Sequence, residues 1–270
     1  MRALFDTHCH LDANEFEVDR DGVIAHAQSA GVQGILIPAV QASDFDKVRN
    51  LAHSFEQGAY AVGIHPMFVR QAQDSDLGLL ESFLKDHQGD PRLVAVGEIG
   101  LDFFVPEISH GDQRQRQIKF YQAQLDIALA AKLPVILHVR RSQDELLKWL
   151  RRRPLMGGIA HAFNGSFQQA KQFVDLGFAL GVGGAFTFTR AQQIRRLVTE
   201  LPLSNLVLET DSPDMAPAWL EKGSRNTPAE VAKVAMELAT LRNDTIDQVL
   251  AQTASTAKRV IPRLGMLWAT

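Results

Sequence analysis

Short apolar runs recur along the chain about every 20 to 40 residues, and the stretches between them carry apolar positions at helical spacing. Eight of these runs read as strands: Ala3 to Asp6, Gly34 to Pro38, Tyr60 to Ile64, Leu93 to Glu98, Val135 to His138, Gly158 to His161, Ala179 to Val182 and Asn205 to Glu209. Asp112 to Ala131 and Ser142 to Arg152 read as helices. Thr227 opens a capped helix with Pro228 in its first turn and Glu230 at the third position. The tail from Asp244 to Thr270 adds helix beyond the eighth unit. Alternation of strand and helix predicts a parallel sheet, and eight units predict an α/β fold of the (β/α)8 TIM-barrel type, one domain over residues 1–270. An open doubly wound sheet is the alternative, but no Gly-x-Gly-x-x-Gly turn follows the first strand. No linker, low-complexity tract or internal repeat divides the chain.

Bulk composition narrows the function. With 270 residues and 46% hydrophobic content the chain can bury a large core. A net charge of −3 and a pI near 6.3 give no overall basic field, so any polyanion must be bound locally. No stretch approaches the roughly 18 apolar residues that would span a bilayer, and the amino terminus lacks a basic region followed by a long apolar run. A cytoplasmic protein with no membrane association and no obligate protein partner is expected. Cys9 is the single cysteine, which excludes a thiolate-rich zinc site and leaves imidazole and carboxylate as ligands. Strand alternation turns Cys9 away from its neighbours, as a buried structural thiol.

Those ligand types stand at strand ends. His8 and His10, two residues apart, project together from the end of the first strand. Further apolar runs end on Glu98, His138, His161 and, after Glu209, on Asp211. In a barrel the carboxyl ends of all strands share one mouth, so residues as far apart in sequence as His8 and Asp211 can meet. Glu98 is the natural bridge, because one carboxylate can hold two cations about 3.5 to 4 Å apart. The expected arrangement puts His8, His10, Glu98 and Asp211 around one divalent metal and Glu98, His138 and His161 around another. Mixed imidazole and carboxylate ligands suit Zn, Mn, Fe or Co, and Mg less comfortably.

The chain resembles the TatD family of metal-dependent deoxyribonucleases within the amidohydrolase-like barrels. The resemblance rests on Asp6-Thr7-His8-Cys9-His10-Leu11-Asp12, Gly63-Ile64-His65-Pro66, Gly97-Glu98-Ile99-Gly100-Leu101-Asp102, Leu133 to Arg140, His161 to Ser166, Glu209 to Pro213 and Arg225-Asn226-Thr227-Pro228. By this similarity the metal ligands fall on the same six residues. Ala162 and Asn164 stand where Gly and Ser are frequent, and Phe103 where Tyr often follows Gly-Leu-Asp; these departures bear on substrate preference and remove no ligand. The implied activity is phosphodiester hydrolysis of DNA or a nucleotide-like substrate, with 3′–5′ exonuclease action within the same expectation. Asp211 is the candidate general base, acting beside the bridging Glu98. His65, Arg140 and Arg225 are candidate phosphate contacts, the arginines for their planar fork. Glu209, two residues before Asp211, is placed to orient a ligand or water. The Arg151-Arg152-Arg153 run reads as a solvated helix end, and His26, His53, His87 and His110 receive no role. Other barrel hydrolases acting on small esters or amides, or a non-catalytic metal-binding protein, are the alternatives. Many phosphotriesterases bridge their metals with a modified lysine, where Glu98 stands here.

Overall fold

Residues 3–268 are described by a computed structural model in which eight parallel strands form one sheet in the order β1 to β8. The strands are β1 (Leu4–Asp6), β2 (Val32–Pro38), β3 (Gly58–Val62), β4 (Leu93–Asp102), β5 (Val135–Arg140), β6 (Gly158–His161), β7 (Phe178–Val182) and β8 (Leu206–Leu208). Their side chains are nearly all buried, as expected where helices cover one face and a packed interior the other. The ring closes between its ends: Thr7 donates to the Leu208 carbonyl through both N–H and Oγ1, each at 3.0 Å, and Cys9 forms a parallel bridge with Ser212. The chain is a (β/α)8 TIM barrel, as its alternating pattern predicts.

The outer helices are α1 (Arg20–Ser29), α2 (Phe45–His53), α3 (Ser75–Asp86), α4 (Gly111–Ala131), α5 (Gln143–Leu150), α6 (Phe167–Asp175), α7 (Gln192–Glu200) and α8 (Val231–Arg242). Beyond them the tail forms α9 (Ile246–Val260), opened by a Thr245–Gln248 capping box, and α10 (Pro262–Leu267). This tail is a plug. Ala254, Ala257, Val260, Ile261, Leu264 and Trp268 share one buried apolar cluster with Phe5, Leu36, Val94, Ile136, Ile159 and Val207 of the strands. Trp268 rests on Phe5 with ring centroids 4.6 Å apart and lies over Gly34, where any Cβ would fall 2.3 Å from the indole.

Two expectations need correction. Thr227 does not cap a helix with its side chain: Pro228–Glu230 is a 3-10 turn that leads into α8, and Glu230 accepts from the Trp219 indole at 2.6 Å. Strand β4 does not stop at Glu98 but runs on to Asp102 through an irregularity, with Val96 facing Val135 and Ile99 facing Leu137. Two residues there oppose one. Such a bulge re-aims a side chain, and the two residues inside it are Gly97 and Glu98.

Candidate metal centre

The mouth at the carboxyl ends of the strands collects the polar residues that the core excludes. His8 and His10 follow β1, and although the regular strand ends at Asp6, the Cys9–Ser212 bridge keeps the segment extended. Cys9 therefore points outward into a buried contact with Ser212 Oγ at 3.1 Å, and the flanking imidazoles converge with Nε2 atoms 3.3 Å apart. Asp211 closes the group from beyond β8. Its φ of 58° lies in the left-handed region, uncommon for a residue with a Cβ, and its N–H donates to the His8 carbonyl at 2.9 Å. That turn aims Oδ1 at His8 and His10, 3.6 Å from the Nε2 of each, and at His161 Nε2, 3.4 Å away.

Glu98 sits between two sets of nitrogens. Its Oε2 lies 3.0 Å from His8 Nε2 and 3.4 Å from His10 Nε2; its Oε1 lies 2.9 Å from His138 Nδ1 and 3.3 Å from His65 Nε2. Three triads offer ligand atoms within 4.8 Å of one another: His8, His10 and Glu98; His8, His161 and Asp211; His65, Glu98 and His138. All six expected ligands are brought together, but they divide differently from the sequence reading. His161 stacks on His8 with centroids 3.6 Å apart, on the Asp211 side, while His65 takes the place beside Glu98 and His138. His65, expected as a phosphate contact, is thus placed among the candidate ligand atoms, and its position after β3 in His65-Pro66 was the available signal.

A cation fits this donor set. Glu98 is buried, its Oε2 has no hydrogen-bond partner among the described residues, and a carboxylate oxygen stranded beside two imidazoles needs a positive charge between them. Burial pushes the Glu98 carboxyl up, but the surrounding imidazoles of His65, His8, His10 and His138 outweigh it and hold it well below the usual range. Asp211 behaves likewise, held down to about 2 against its burial by His161, His8 and His10. Both are ionised at neutral pH. His10 is lifted to about 9, its burial overcome by Glu98 and Asp211, whereas burial together with the neighbouring His138 depresses His65 to about 4.

Behind the candidate ligands stand two carboxylates that face their rings. Asp102 Oδ2 is 3.1 Å from His138 Nε2, leaving Nδ1 to face Glu98; Glu209 Oε1 is 3.0 Å from His161 Nδ1, leaving Nε2 to face Asp211. Such partners orient an imidazole and set its tautomer. Glu209 needs room: Gly181 on β7 lies against it, and a Cβ there would fall 2.1 Å from Oε2. Glu209 Oε1 also accepts the Ala162 N–H at 2.7 Å, and Ala162 has a φ of 43°. The left-handed backbone explains why glycine suits that position. Asp102 received no separate role from sequence, yet it lies four residues beyond Glu98 on the same strand. Asp6 also went unread: buried, with its pKa raised to about 8 chiefly by burial, it accepts from Thr210 Oγ1 at 2.6 Å and helps join β1 to the segment after β8.

The two arginines differ. Arg140 is half-exposed at the rim, opposite Asp102 across β4 and β5, with Nη1 3.7 Å from Asp102 Oδ2. Arg225 makes its contacts elsewhere: its fork grips Asp19 at 2.8 and 2.6 Å and the Glu15 carbonyl at 2.5 Å, so the structure does not present it as a free phosphate contact. In the Arg151-Arg152-Arg153 run, Arg153 is not merely solvated, since it pairs with Asp126 of α4 at 2.6 and 2.8 Å.

Comparison with known proteins places the chain in a family. The family model described as TatD related DNase matches residues 5–262. An uncharacterized metal-dependent hydrolase of Haemophilus influenzae is 40% identical over 244 residues, covering 89% of this chain and 92% of its own. The crystal structure of YjjV, a TatD homologue from Escherichia coli, superposes with a TM-score of 0.90 at 37% identity, covering 96% of this chain and 98% of that one. The 3′-5′ ssDNA/RNA exonuclease TatD of Erwinia amylovora is 29% identical over 264 residues, 94% of this chain and 98% of its own. Among the described residues no helix is long and apolar enough to cross a membrane. The chain belongs to the TatD-related DNase family and is a metal-dependent hydrolase of that family.

Proposed function

We propose that this hydrolase cleaves phosphodiester bonds in single-stranded DNA or related nucleic acid from the 3′ end, with two divalent cations divided by Glu98. The observation that carries the reading is the split of one carboxylate between two nitrogen pairs, Oε2 toward His8 and His10 and Oε1 toward His138 and His65. His8, His10, Asp211 and Glu98 would hold one cation, with His161 beside Asp211; His65, His138 and Glu98 would hold the other. Zinc, manganese, iron or cobalt suits these donors better than magnesium. When bound, such cations bring the pKa of water from about 15.7 toward about 7 and neutralise charge on phosphoryl oxygens.

The remaining work falls to side chains. Asp211, ionised and partly open to the mouth, accepts the proton of the attacking water. Glu209 holds His161, and His161 keeps Asp211 Oδ1 in place. Arg140 reaches the phosphate from the rim, anchored by Asp102. Relatives named as nucleases support the substrate class.

Single-turnover cleavage of a 3′-labelled oligonucleotide, beside its binding, tests the assignment. Asp211→Asn should slow the chemical step by about two orders of magnitude or more with affinity little changed. Near-normal cleavage by that variant at full metal content would refute the base. Wild-type turnover of small esters or amides with no cleavage of any oligonucleotide would refute the substrate class.

A further inference from the structure

We propose that Phe104, with Arg140 and Arg141, forms a stacking station for one unpaired nucleobase of the substrate at the rim of the mouth; the inference rests on the nucleic-acid reading above. Phe104 is a large apolar ring left 43% exposed just past the end of β4. Two guanidiniums lie over it, Arg140 Cζ at 4.0 Å and Arg141 Cζ at 4.6 Å from the ring centroid. Consecutive residues of an extended strand point to opposite sides, so both arginines reach one ring only because the backbone turns. It does: Arg141 has a φ of 55°. Among the described residues Arg141 makes no ion pair with a carboxylate, so its charge stays available to a ligand.

The station is tied to the metal centre through one side chain. Asp102 Oδ1 accepts the N–H groups of Phe104 and Val105 at 2.8 and 3.0 Å, while Oδ2 faces His138 Nε2 at 3.1 Å. The carboxylate that orients a candidate ligand thereby also fixes the loop carrying the ring. A base stacked on Phe104 or on either guanidinium would have its own phosphate within the field of Arg140. Aromatic faces and guanidinium planes are the surfaces on which single-stranded bases stack without regard to sequence, and a paired base inside a duplex cannot reach them. In a protein of net charge −3, this cluster is also a local source of the positive field that a polyanion requires.

The test is binding, read by fluorescence anisotropy with a labelled, cleavage-resistant phosphorothioate hexathymidylate and metal-loaded protein. Phe104→Ala should weaken binding on the order of tenfold, about 1.4 kcal/mol, through the loss of one base stack. Phe104→Trp should retain it, and Arg141→Ala should weaken it several-fold with a smaller salt dependence. A single abasic site walked along the oligonucleotide should cost affinity at one position from the 3′ end, and in Phe104→Ala that position should become silent. A structural role for the ring would not produce that coupling. Equal affinity for wild type and Phe104→Ala, no position-specific abasic loss, or no binding by wild type would each overturn the proposal. Phe104-dependent binding without cleavage of unmodified oligonucleotide would instead refute the nuclease reading and leave the station standing.

Discussion

Gly181 offers a test that touches no ligand and no substrate. A methyl group added there would lie 2.1, 2.4 and 2.5 Å from Glu209 Oε2, Cδ and Oε1, whereas ordinary contact begins at 3.4 Å. Gly181 is held in the sheet between β6 and β8, so the carboxylate must retreat by about 1 Å or more. Its Oε1 would then lose the Ala162 N–H at 2.7 Å and its approach to His161 Nδ1 at 3.0 Å. Stranding this partly buried N–H costs up to about 1–3 kcal/mol of stability. Releasing an imidazole from its carboxylate typically costs 10- to 100-fold in metal affinity or activity. Gly181→Ala should therefore lower kcat/KM by about that factor, with a modest drop in Tm. Steady-state kinetics and metal analysis on the purified variant measure both. Because the effect is routed through Glu209, Gly181→Ala combined with Glu209→Ala should be little worse than Glu209→Ala alone. Full activity in Gly181→Ala, or additive losses in the double variant, would refute the route.

Glu98→Gln keeps one oxygen and presents an amide NH2 to the other nitrogen pair; it should lose about one cation per chain and at least about 100-fold in rate, and normal occupancy would refute the bridge. Away from the site, burial pushes the Asp90 carboxyl up, but His53 Nε2 at 2.8 Å, the Arg92 N–H at 2.9 Å and the Tyr60 hydroxyl at 2.9 Å outweigh it and hold it below its ordinary 3.8. A folded-state pKa below the unfolded value adds stability that is present above the unfolded pKa and lost as pH falls through the folded one. Asp90→Asn should cost about 1–2 kcal/mol at neutral pH, and denaturant melts of the two proteins should converge below about pH 4. A gap that is constant with pH would contradict the ionic contribution.

The eight strands were legible because each is a short apolar run that must be buried on both faces, and the candidate ligands stand out in the sequence because they interrupt those runs at one end. Strand β4 hid its last four residues for a related reason: Glu98 looks like an end, while the bulge that aims it inward lets the strand continue to Asp102. The grouping of the candidate ligands was not legible. His65 follows β3 and His161 ends β6, and only the closed ring decides that His65 meets His138, with His65 Nε2 3.0 Å from His138 Nδ1, while His161 stacks on His8. Arg225 shows the limit of residue type. An arginine in the right motif reads as a phosphate fork until a carboxylate, here Asp19, is seen to fill it. Asp102 and Gly181 act through neighbours distant in sequence, and no local pattern marks that.

Anomalous diffraction from crystals of metal-loaded protein, combined with elemental analysis of the same sample, tests the division by Glu98 most directly. The expected result is two cations per chain, one against His8, His10, Asp211 and Glu98 and the other against His65, His138 and Glu98. A single cation at saturation, or a second one held by His138 and His161 without His65, would contradict it.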